Sequence, residues 1–212
     1  MYIFSRGLVR IVGILSFVLS SVACAQNFYV LEAQAALSSV RIDTPTEFGM
    51  GVALEDGATI ATCAHVVDNN NWVDIDTGEA KEKGYVIAVD TENDIAIIRL
   101  ENKIRPFLTR ACRDKMSSGK FVLAAGKPNT SSRIDMRPGT SVAYFMDNPW
   151  PDLIISSEPQ HGYSGGPVMD ENGYLIGIMK SYAGYGGKTG TVVIPSWKIL
   201  EFIQKTRESL RK

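Results

Sequence analysis

Three short segments of the sequence supply the residue types of an activated serine nucleophile. In chain order they are Thr62-Cys63-Ala64-His65, Asp94 at the head of the apolar run Ile95–Leu100, and Gly162-Tyr163-Ser164-Gly165-Gly166. A serine hydroxyl becomes a good nucleophile when an imidazole takes its proton, and the imidazole needs a carboxylate on its other nitrogen to hold the correct tautomer. We therefore predict that His65, Asp94 and Ser164 are catalytic. The backbone N–H groups of Gly162 and Ser164 are the predicted donors to a developing oxyanion.

The combination of the segments carries this prediction, because each one alone more often has a structural role. His65 and His161 are the only histidines in the chain, so one of them must serve any chemistry that needs an imidazole. The serine segment also matches G-x-S-x-G, the nucleophile elbow of α/β-hydrolases. That fold places its histidine after the serine, and no histidine follows Ser164. The chain order therefore counts against an esterase or lipase of that type.

A β-rich fold must position these segments, because most of the chain consists of short apolar or alternating runs bounded by turn residues. Before a polar connector at 101–119 the predicted strands are Val40–Ile42, Gly51–Leu54, Thr59–Ala61, Trp72–Ile75, Tyr85–Val89 and Ile95–Leu100. After it they are Phe121–Ala125, Thr140–Phe145, Leu153–Ser156, Pro167–Met169, Leu175–Met179 and Thr191–Ile194. A short helix is predicted before Ser39, and an amphipathic helix over 196–210 closes the chain. Two such strand sets predict an all-β fold of two small barrels or a sandwich.

The composition is that of an ordinary globular protein, with 45% apolar residues, 21% charged residues and a formal net charge of −1. An isoelectric point near 6.1 argues against nucleic acid as a partner. Two widely separated histidines and few cysteines do not have metal-ligand spacing, so we expect neither a metal nor another cofactor. We also expect the thiols of Cys63 and Cys112 to be free rather than joined in a disulfide.

Residues 1–25 have the features of a secretory signal peptide. Arg6 and Arg10 precede the mostly apolar run Ile11–Val22, and Ala23-Cys24-Ala25 supplies a small-residue cleavage site. The run is shorter than the roughly 20 residues that a membrane span needs. We predict a secreted or periplasmic protein cleaved near Ala25. An N-terminal membrane anchor and a lipid attached through Cys24 remain alternatives, and a membrane is an expected partner only if the chain is lipidated.

The motifs together resemble those of chymotrypsin-fold serine proteases of the HtrA/Deg type, across about 39–203. The matching segments are Gly49-Met50-Gly51-Val52, Thr62 to Val67, Asp94-Ile95-Ala96-Ile97, Ala125-Gly126-Lys127-Pro128, Gly162 to Pro167, and Gly173 to Ile178. The resemblance implies two six-stranded antiparallel β-barrels, at about 39–105 and 120–195, with the triad between them. HtrA proteins usually continue into one or more PDZ domains, whereas we expect none in this chain. The resemblance also implies His65 as general base, Asp94 as orienting acid, Ser164 as nucleophile, and the oxyanion hole at Gly162 and Ser164. Tyr163 departs from digestive trypsins, which place an aspartate there to pair with a newly freed N-terminus.

The function expected from these observations is that of a serine endopeptidase acting through an acyl-enzyme on exposed or unfolded polypeptide segments. A catalytically silent, protease-like binding module is the alternative. For the substrate cleft, we treat His161 as a solvated loop residue, Lys180 as either solvated or selective for acidic side chains, and Glu158 as a candidate for basic specificity. We expect 182–187 to form a flexible rim loop.

Overall fold

The computed structural model describes residues 27–102, 109–128, 133–145, 151–158 and 160–209. The predicted signal peptide, with its cleavage site and Cys24, lies outside these residues. The first described element is a helix, α1, over 27–38. Its Leu31 and Ala35 pack against Leu123, Ala125 and Met169 of the second half of the chain.

The first six strands form a closed antiparallel barrel in the order β1-β2-β3-β6-β5-β4. They are β1 (Ser39–Asp43), β2 (Phe48–Ala53), β3 (Thr59–Thr62), β4 (Trp72–Asp76), β5 (Lys81–Asp90) and β6 (Ile95–Leu100). Pairing of β1 with β4, for example Ile42 opposite Ile75, closes the barrel. A single-turn helix, α2 (Ala64–Val67), follows β3.

The next six strands form a second closed antiparallel barrel in the order β10-β11-β12-β9-β8-β7. They are β7 (Phe121–Gly126), β8 (Asp135–Phe145), β9 (Asp152–Ile155), β10 (Pro167–Asp170), β11 (Leu175–Tyr185) and β12 (Lys188–Pro195). The chain continues into helix α3 (Ser196–Ser209). The predicted fold of two six-stranded barrels with a C-terminal helix is confirmed.

One predicted loop is wrong, because 182–187 belongs to a long β-hairpin. The ladder between β11 and β12 continues from Tyr182 opposite Thr191 to Tyr185 opposite Lys188. Gly186 and Gly187 form the turn, with φ angles of 51° and 74°. Two consecutive residues at positive φ are what a tight two-residue hairpin turn requires, and glycine adopts that conformation without strain. The two glycines therefore form the sharp turn that joins β11 to β12, and the residues before them belong to a strand rather than to a loop.

The two barrels share one apolar cluster. It combines first-barrel residues such as Ile60 and Ile97 with Ile178 and Ile194 of the second barrel. Ile199 and Ile203 of α3 belong to the same cluster. The barrels and the terminal helix are therefore packed together behind the cleft that separates the barrels. Within the described part of the chain, no helix has the length and apolarity needed to cross a membrane.

Candidate active site

His65 and Asp94 meet at one end of the first barrel. The Nδ1 atom of His65 lies 2.9 and 3.0 Å from the two carboxylate oxygens of Asp94. The backbone N–H of His65 also donates to Asp94 Oδ1 at 3.0 Å. The carboxylate is mostly buried, whereas the His65 side chain is 49% exposed. Asp94 therefore fixes both the ring and the backbone of a histidine that is open to the cleft.

Local turn chemistry places the carboxylate there. Asp94 has a φ of +59°, in the left-handed region that aspartate tolerates better than most residues. The turn before it is held by Asp90, whose carboxylate accepts hydrogen bonds from the backbone and the side-chain amide of Asn93. The N–H of Ala64 donates to the Asp94 carbonyl at 3.1 Å. These contacts tie the end of the turn directly to α2.

Ser164 enters the site from the second barrel and is bonded to β2 of the first. The N–H of Met50 donates to the Ser164 carbonyl at 2.7 Å. A Cβ atom on Gly49 would lie 2.7 Å from a methyl group of Val66 and 2.9 Å from the Ser164 carbonyl oxygen. The missing side chain at this position lets the serine backbone and helix α2 approach each other closely.

A second connection between the barrels runs through one carbonyl group. The Met179 carbonyl accepts hydrogen bonds from the N–H of Gly165 at 2.7 Å and from the Cys63 thiol at 3.1 Å. Gly165 has a φ of +83°, and a Cβ atom there would lie only 1.9 Å from the Met50 carbonyl oxygen. Gly165, which follows the serine, and Cys63, two residues before the histidine, are thus held by the same carbonyl group.

The Ser164 hydroxyl donates to the Lys180 carbonyl at 3.3 Å. Within the described residues the structure gives it no hydrogen bond to His65. Hydrogen bonds among catalytic groups are often long or misaligned before a substrate binds. The structure thus joins His65 directly to Asp94, and it brings the Ser164 backbone close to helix α2, which carries His65.

The turn before the serine has the form needed to present backbone donors. The N–H of Tyr163 donates to the Gln160 carbonyl at 3.2 Å. Gly162, at the third position of this turn, has a φ of +92°, which type II turns require of that residue. Among the described residues, the N–H groups of Gly162 and Ser164 make no hydrogen bond to a backbone carbonyl.

A pocket of about 310 Å³ adjoins the serine. Its lining residues are Gln160, His161, Tyr163, Ser164, Met179, Lys180, Ser181, Tyr182 and Thr191. Glu158 is exposed and is not part of this lining, which removes the geometric basis for its role in basic specificity. A larger cavity of about 580 Å³ lies against α3, with Arg113 and Arg207 in its wall, and contains none of the predicted catalytic residues.

Lys180 and His161 differ from their expected surroundings. The Lys180 ammonium lies 3.1 Å from Asp152, whose other oxygen lies 2.6 Å from the ammonium of Lys198. Lys180 is therefore neither a solvated lysine nor an open site for acidic side chains. The His161 ring makes an edge-to-face contact with Phe48, at 4.9 Å between centroids, so this exposed histidine is packed across the cleft. Sequence reasoning missed Asp152 and Phe48, because no local pattern marks either as a partner.

Both cysteines in the described part of the chain, Cys63 and Cys112, have free thiols. Cys63 is fully buried, and its sulfur lies within 4.8 Å of ligand atoms of His65 and Asp94. Burial, assisted by the negative charge of Asp94, raises the pKa of the Cys63 thiol well above its usual value. The thiol therefore stays protonated and donates to the Met179 carbonyl, which makes it a poor metal ligand.

Comparison with known proteins identifies the family to which the chain belongs. A model of the trypsin-like peptidase domain matches residues 49–178. Serine protease HTRA4 of Homo sapiens is 26% identical over 178 residues, which cover 79% of this chain and 37% of the relative. A probable periplasmic serine endoprotease, DegP-like, of Chlamydia trachomatis serovar D is 26% identical over 157 residues, which cover 70% of this chain and 31% of the relative. The chain thus spans about a third of the length of these curated relatives.

Among solved structures, an inactive form of Rv3671c from M. tuberculosis H37Rv has the same fold. The TM-score is 0.71 at 22% sequence identity, and the match covers 84% of this chain and 90% of that one. The matched family model extends over more than half of the present chain and includes all three predicted catalytic residues. The chain therefore belongs to the trypsin-like peptidase family, and serine proteases of the HtrA and DegP types are among its relatives.

Proposed function

We propose that this chain is a serine endopeptidase that uses Ser164 as nucleophile, His65 as general base and Asp94 as the acid that orients the imidazole. The contact of both Asp94 oxygens with His65 Nδ1 carries the proposal, and the close approach of the Ser164 backbone to helix α2, which bears His65, supports it. With Nδ1 donating to the carboxylate, Nε2 is left as a base facing the cleft.

In the first half of the reaction, the Ser164 hydroxyl rotates away from the Lys180 carbonyl and gives its proton to Nε2 of His65. Its oxygen forms a bond to the carbonyl carbon of the scissile peptide. The resulting oxyanion accepts hydrogen bonds from the N–H groups of Gly162 and Ser164. When the C–N bond breaks, the amine leaves with the proton from His65 and an acyl-enzyme remains.

In the second half, His65 takes a proton from a water molecule whose oxygen attacks the ester carbon. The bond from carbon to Ser164 Oγ then breaks, and the proton returns to the serine. No metal or organic cofactor is required for either half, because the imidazole and the two backbone donors supply the proton transfer and the charge stabilisation.

The pocket beside Ser164 favours an uncharged side chain at the cleaved bond. The Lys180 ammonium in its wall is already paired with Asp152, and the remaining lining residues are uncharged or, at His161, packed on Phe48. An arginine or lysine side chain would find no carboxylate there among the described residues. We therefore expect cleavage after apolar or small residues.

We place the enzyme outside the cytoplasm, after removal of the predicted signal peptide near Ala25 or after lipid attachment through Cys24. The DegP-like relative is named as periplasmic, which supports this location. Its substrates are proposed to be exposed or unfolded polypeptide segments, because an extended chain can reach a serine that lies between two barrels.

The deciding experiment is labelling with a fluorophosphonate probe, followed by mapping of the adduct by mass spectrometry. We expect a phosphonylated Ser164, with fluoride as the leaving group, because only a serine with a working base reacts rapidly. The adduct should disappear in His65→Ala and persist in Ser209→Ala, a matched change of an exposed serine at the end of α3.

Casein digestion by the same variants tests turnover. Ser164→Ala is expected to lose on the order of 10⁶-fold in kcat, by analogy with other triads. If folded wild-type protein neither reacts with the probe nor exceeds Ser164→Ala in digestion, the chain is a protease-like binding module and not an enzyme.

A further inference from the structure

Tyr163 lies between the two residues whose N–H groups are the proposed oxyanion donors. The residue is only 1% exposed, although the next residue, Ser164, is partly exposed in the pocket. Whatever fixes this side chain also fixes the peptide groups on either side of it, because Gly162 and Ser164 are its direct neighbours in the chain. Its contacts therefore bear on the proposed catalytic function, on which the following inference rests.

The ring of Tyr163 is seated on Gly126, the last residue of β7. A Cβ atom on Gly126 would come within 2.3 Å of Tyr163 Cγ, so only glycine leaves room for the ring. Gly126 pairs directly with Asp135, the first residue of β8. Gly126, which contacts the ring, and Asp135, which binds the hydroxyl, are thus a directly paired couple of residues on β7 and β8.

The Tyr163 hydroxyl donates a hydrogen bond to Asp135 Oδ2 at 2.5 Å. Arg137 Nε donates to the same oxygen at 2.7 Å. Hydrogen bonds to a charged acceptor are short and strong, and two donors on one oxygen fix its position. The side chain of Asp135 is 37% exposed and that of Arg137 is 32% exposed, so this ion pair lies at the barrel surface while the ring lies inside.

The protonation states agree with these roles. Burial and the hydrogen bond to Asp135 raise the pKa of Tyr163 to about 12, so the phenol remains a donor. Burial acts to raise the pKa of Asp135, but hydrogen bonds from Tyr163 and Arg137 outweigh it and lower the pKa, so the carboxylate remains an acceptor.

We propose that Tyr163, Asp135 and Arg137 form a clamp that holds the oxyanion turn in its donor-presenting conformation. They are positioning residues, since their proposed effect on the reaction passes through the N–H groups of Gly162 and Ser164. The competing explanation is that Tyr163 only fills space beside Gly126. The two explanations separate when the hydroxyl is removed and the ring is kept.

Tyr163→Phe makes that separation. Loss of one oxyanion donor costs on the order of 10²- to 10³-fold in kcat, so a displaced but intact donor should cost about 10-fold. We expect this fall in kcat for a peptide substrate with KM nearly unchanged, because the pocket wall is retained. Asp135→Ala should match it, and the double variant should be no worse than either single variant, because both act through one contact.

Tyr144→Phe is the matched control. Tyr144 is a half-buried tyrosine of the same barrel, and its hydroxyl accepts a hydrogen bond from the N–H of Met116 at 2.9 Å; neither residue lines the pocket beside Ser164. It should keep the wild-type kcat. Equal kcat in wild type, Tyr163→Phe and Tyr144→Phe would overturn the clamp while leaving the proposed endopeptidase intact.

Hydrogen–deuterium exchange of the segment 160–166 gives a readout that does not depend on activity. The clamp predicts faster exchange at Gly162 and Ser164 in Tyr163→Phe and no change there in Tyr144→Phe. Unchanged exchange in both variants refutes the clamp even if the wild-type protein proves inactive, in which case the fluorophosphonate experiment has already rejected the proposed function separately.

Discussion

Replacing Asp152 by leucine tests how the wall of the substrate pocket is held. The carboxylate has an 11% exposed side chain and lies between two ammonium groups, 2.6 Å from Lys198 and 3.1 Å from Lys180. These three residues connect α3, β9 and β11. Asp152→Leu replaces the carboxylate by a branched apolar side chain with the same number of heavy atoms, and it removes the shared partner of the two lysines.

The magnitude follows from the burial of each lysine. Removing one partner of a buried ion pair costs about 3–5 kcal/mol. Lys180, with a 25% exposed side chain, can turn towards water, whereas Lys198 is 2% exposed and cannot. We therefore expect the lower end, about 3 kcal/mol of unfolding free energy, or a fall in Tm of roughly 6–12 °C for a chain of this size.

A second substitution should restore part of this loss. Burial lowers the pKa of Lys198 even though Asp152 acts in the opposite direction, so the folded protein disfavours this charge on balance. Lys198→Met alone is therefore expected to cost about 1 kcal/mol or less, because it also removes a desolvation penalty. The double variant Asp152→Leu/Lys198→Met should be about 2 kcal/mol more stable than Asp152→Leu.

Urea unfolding followed by far-ultraviolet circular dichroism measures these differences. A Ser164→Ala background keeps self-digestion out of the measurement, and Asp114→Leu serves as an exposed aspartate control with an expected change below about 0.5 kcal/mol. A loss below about 1 kcal/mol for Asp152→Leu, or a double variant no more stable than the single one, would refute the reasoning.

Three further outcomes are expected. Asp94→Asn should lower kcat by about 10⁴-fold for a chromogenic peptide, because an amide can stabilise the wrong imidazole tautomer; kcat within tenfold of wild type would contradict this. Gly165→Ala should lower the unfolding free energy by about 3 kcal/mol or more in thermal unfolding, because its Cβ atom would lie 1.9 Å from the Met50 carbonyl oxygen at a φ of +83°. Burial opposes ionisation of Asp56, but hydrogen bonds, led by that from Thr59, lower its pKa to about 2. Its contribution is therefore present above about pH 4 and lost as the pH falls through about 2, and Asp56→Asn should remove about 1 kcal/mol of this acid dependence in urea titrations at pH 7 and 3, after allowance for its partly exposed side chain.

The strands were predictable where one face or both faces of a segment are continuously apolar. Ile95–Leu100 has the same bounds in the sequence prediction and in the structure, because five of its six residues are buried. The start of β8 was missed, since Asp135, Arg137 and Pro138 read as a loop. Pro138 is nevertheless in the ladder opposite Leu123. Proline normally demotes a strand, and only the closure of the barrel overrides that local signal.

The candidate site, like the strands, was predictable from the sequence only in part. Motif chemistry at His65, Asp94 and Ser164 predicted that they share one cleft, because a serine needs a base and a base needs an acid. The surroundings of Lys180 were not predictable, since its partner Asp152 is 28 positions earlier in the chain. In the second barrel β11 and β9 flank β12, so the side chains of Lys180 and Asp152 reach each other across that strand. Contacts that depend on the arrangement of strands in the barrel cannot be inferred from the spacing of residues in the sequence.

The shared apolar cluster also affects the order in which parts of the chain can fold during synthesis. The strands of the first barrel end at Leu100, yet the cluster that includes its core contains Ile199 and Ile203 near the end of the chain. Chains emerge from the ribosome N-terminus first, and contacts between distant residues form late. The histidine and aspartate are therefore synthesised early but gain their final support only after the last helix has emerged. Under the proposed function, a growing chain completes its active-site geometry only at the end of its synthesis, which would limit cleavage by incomplete copies.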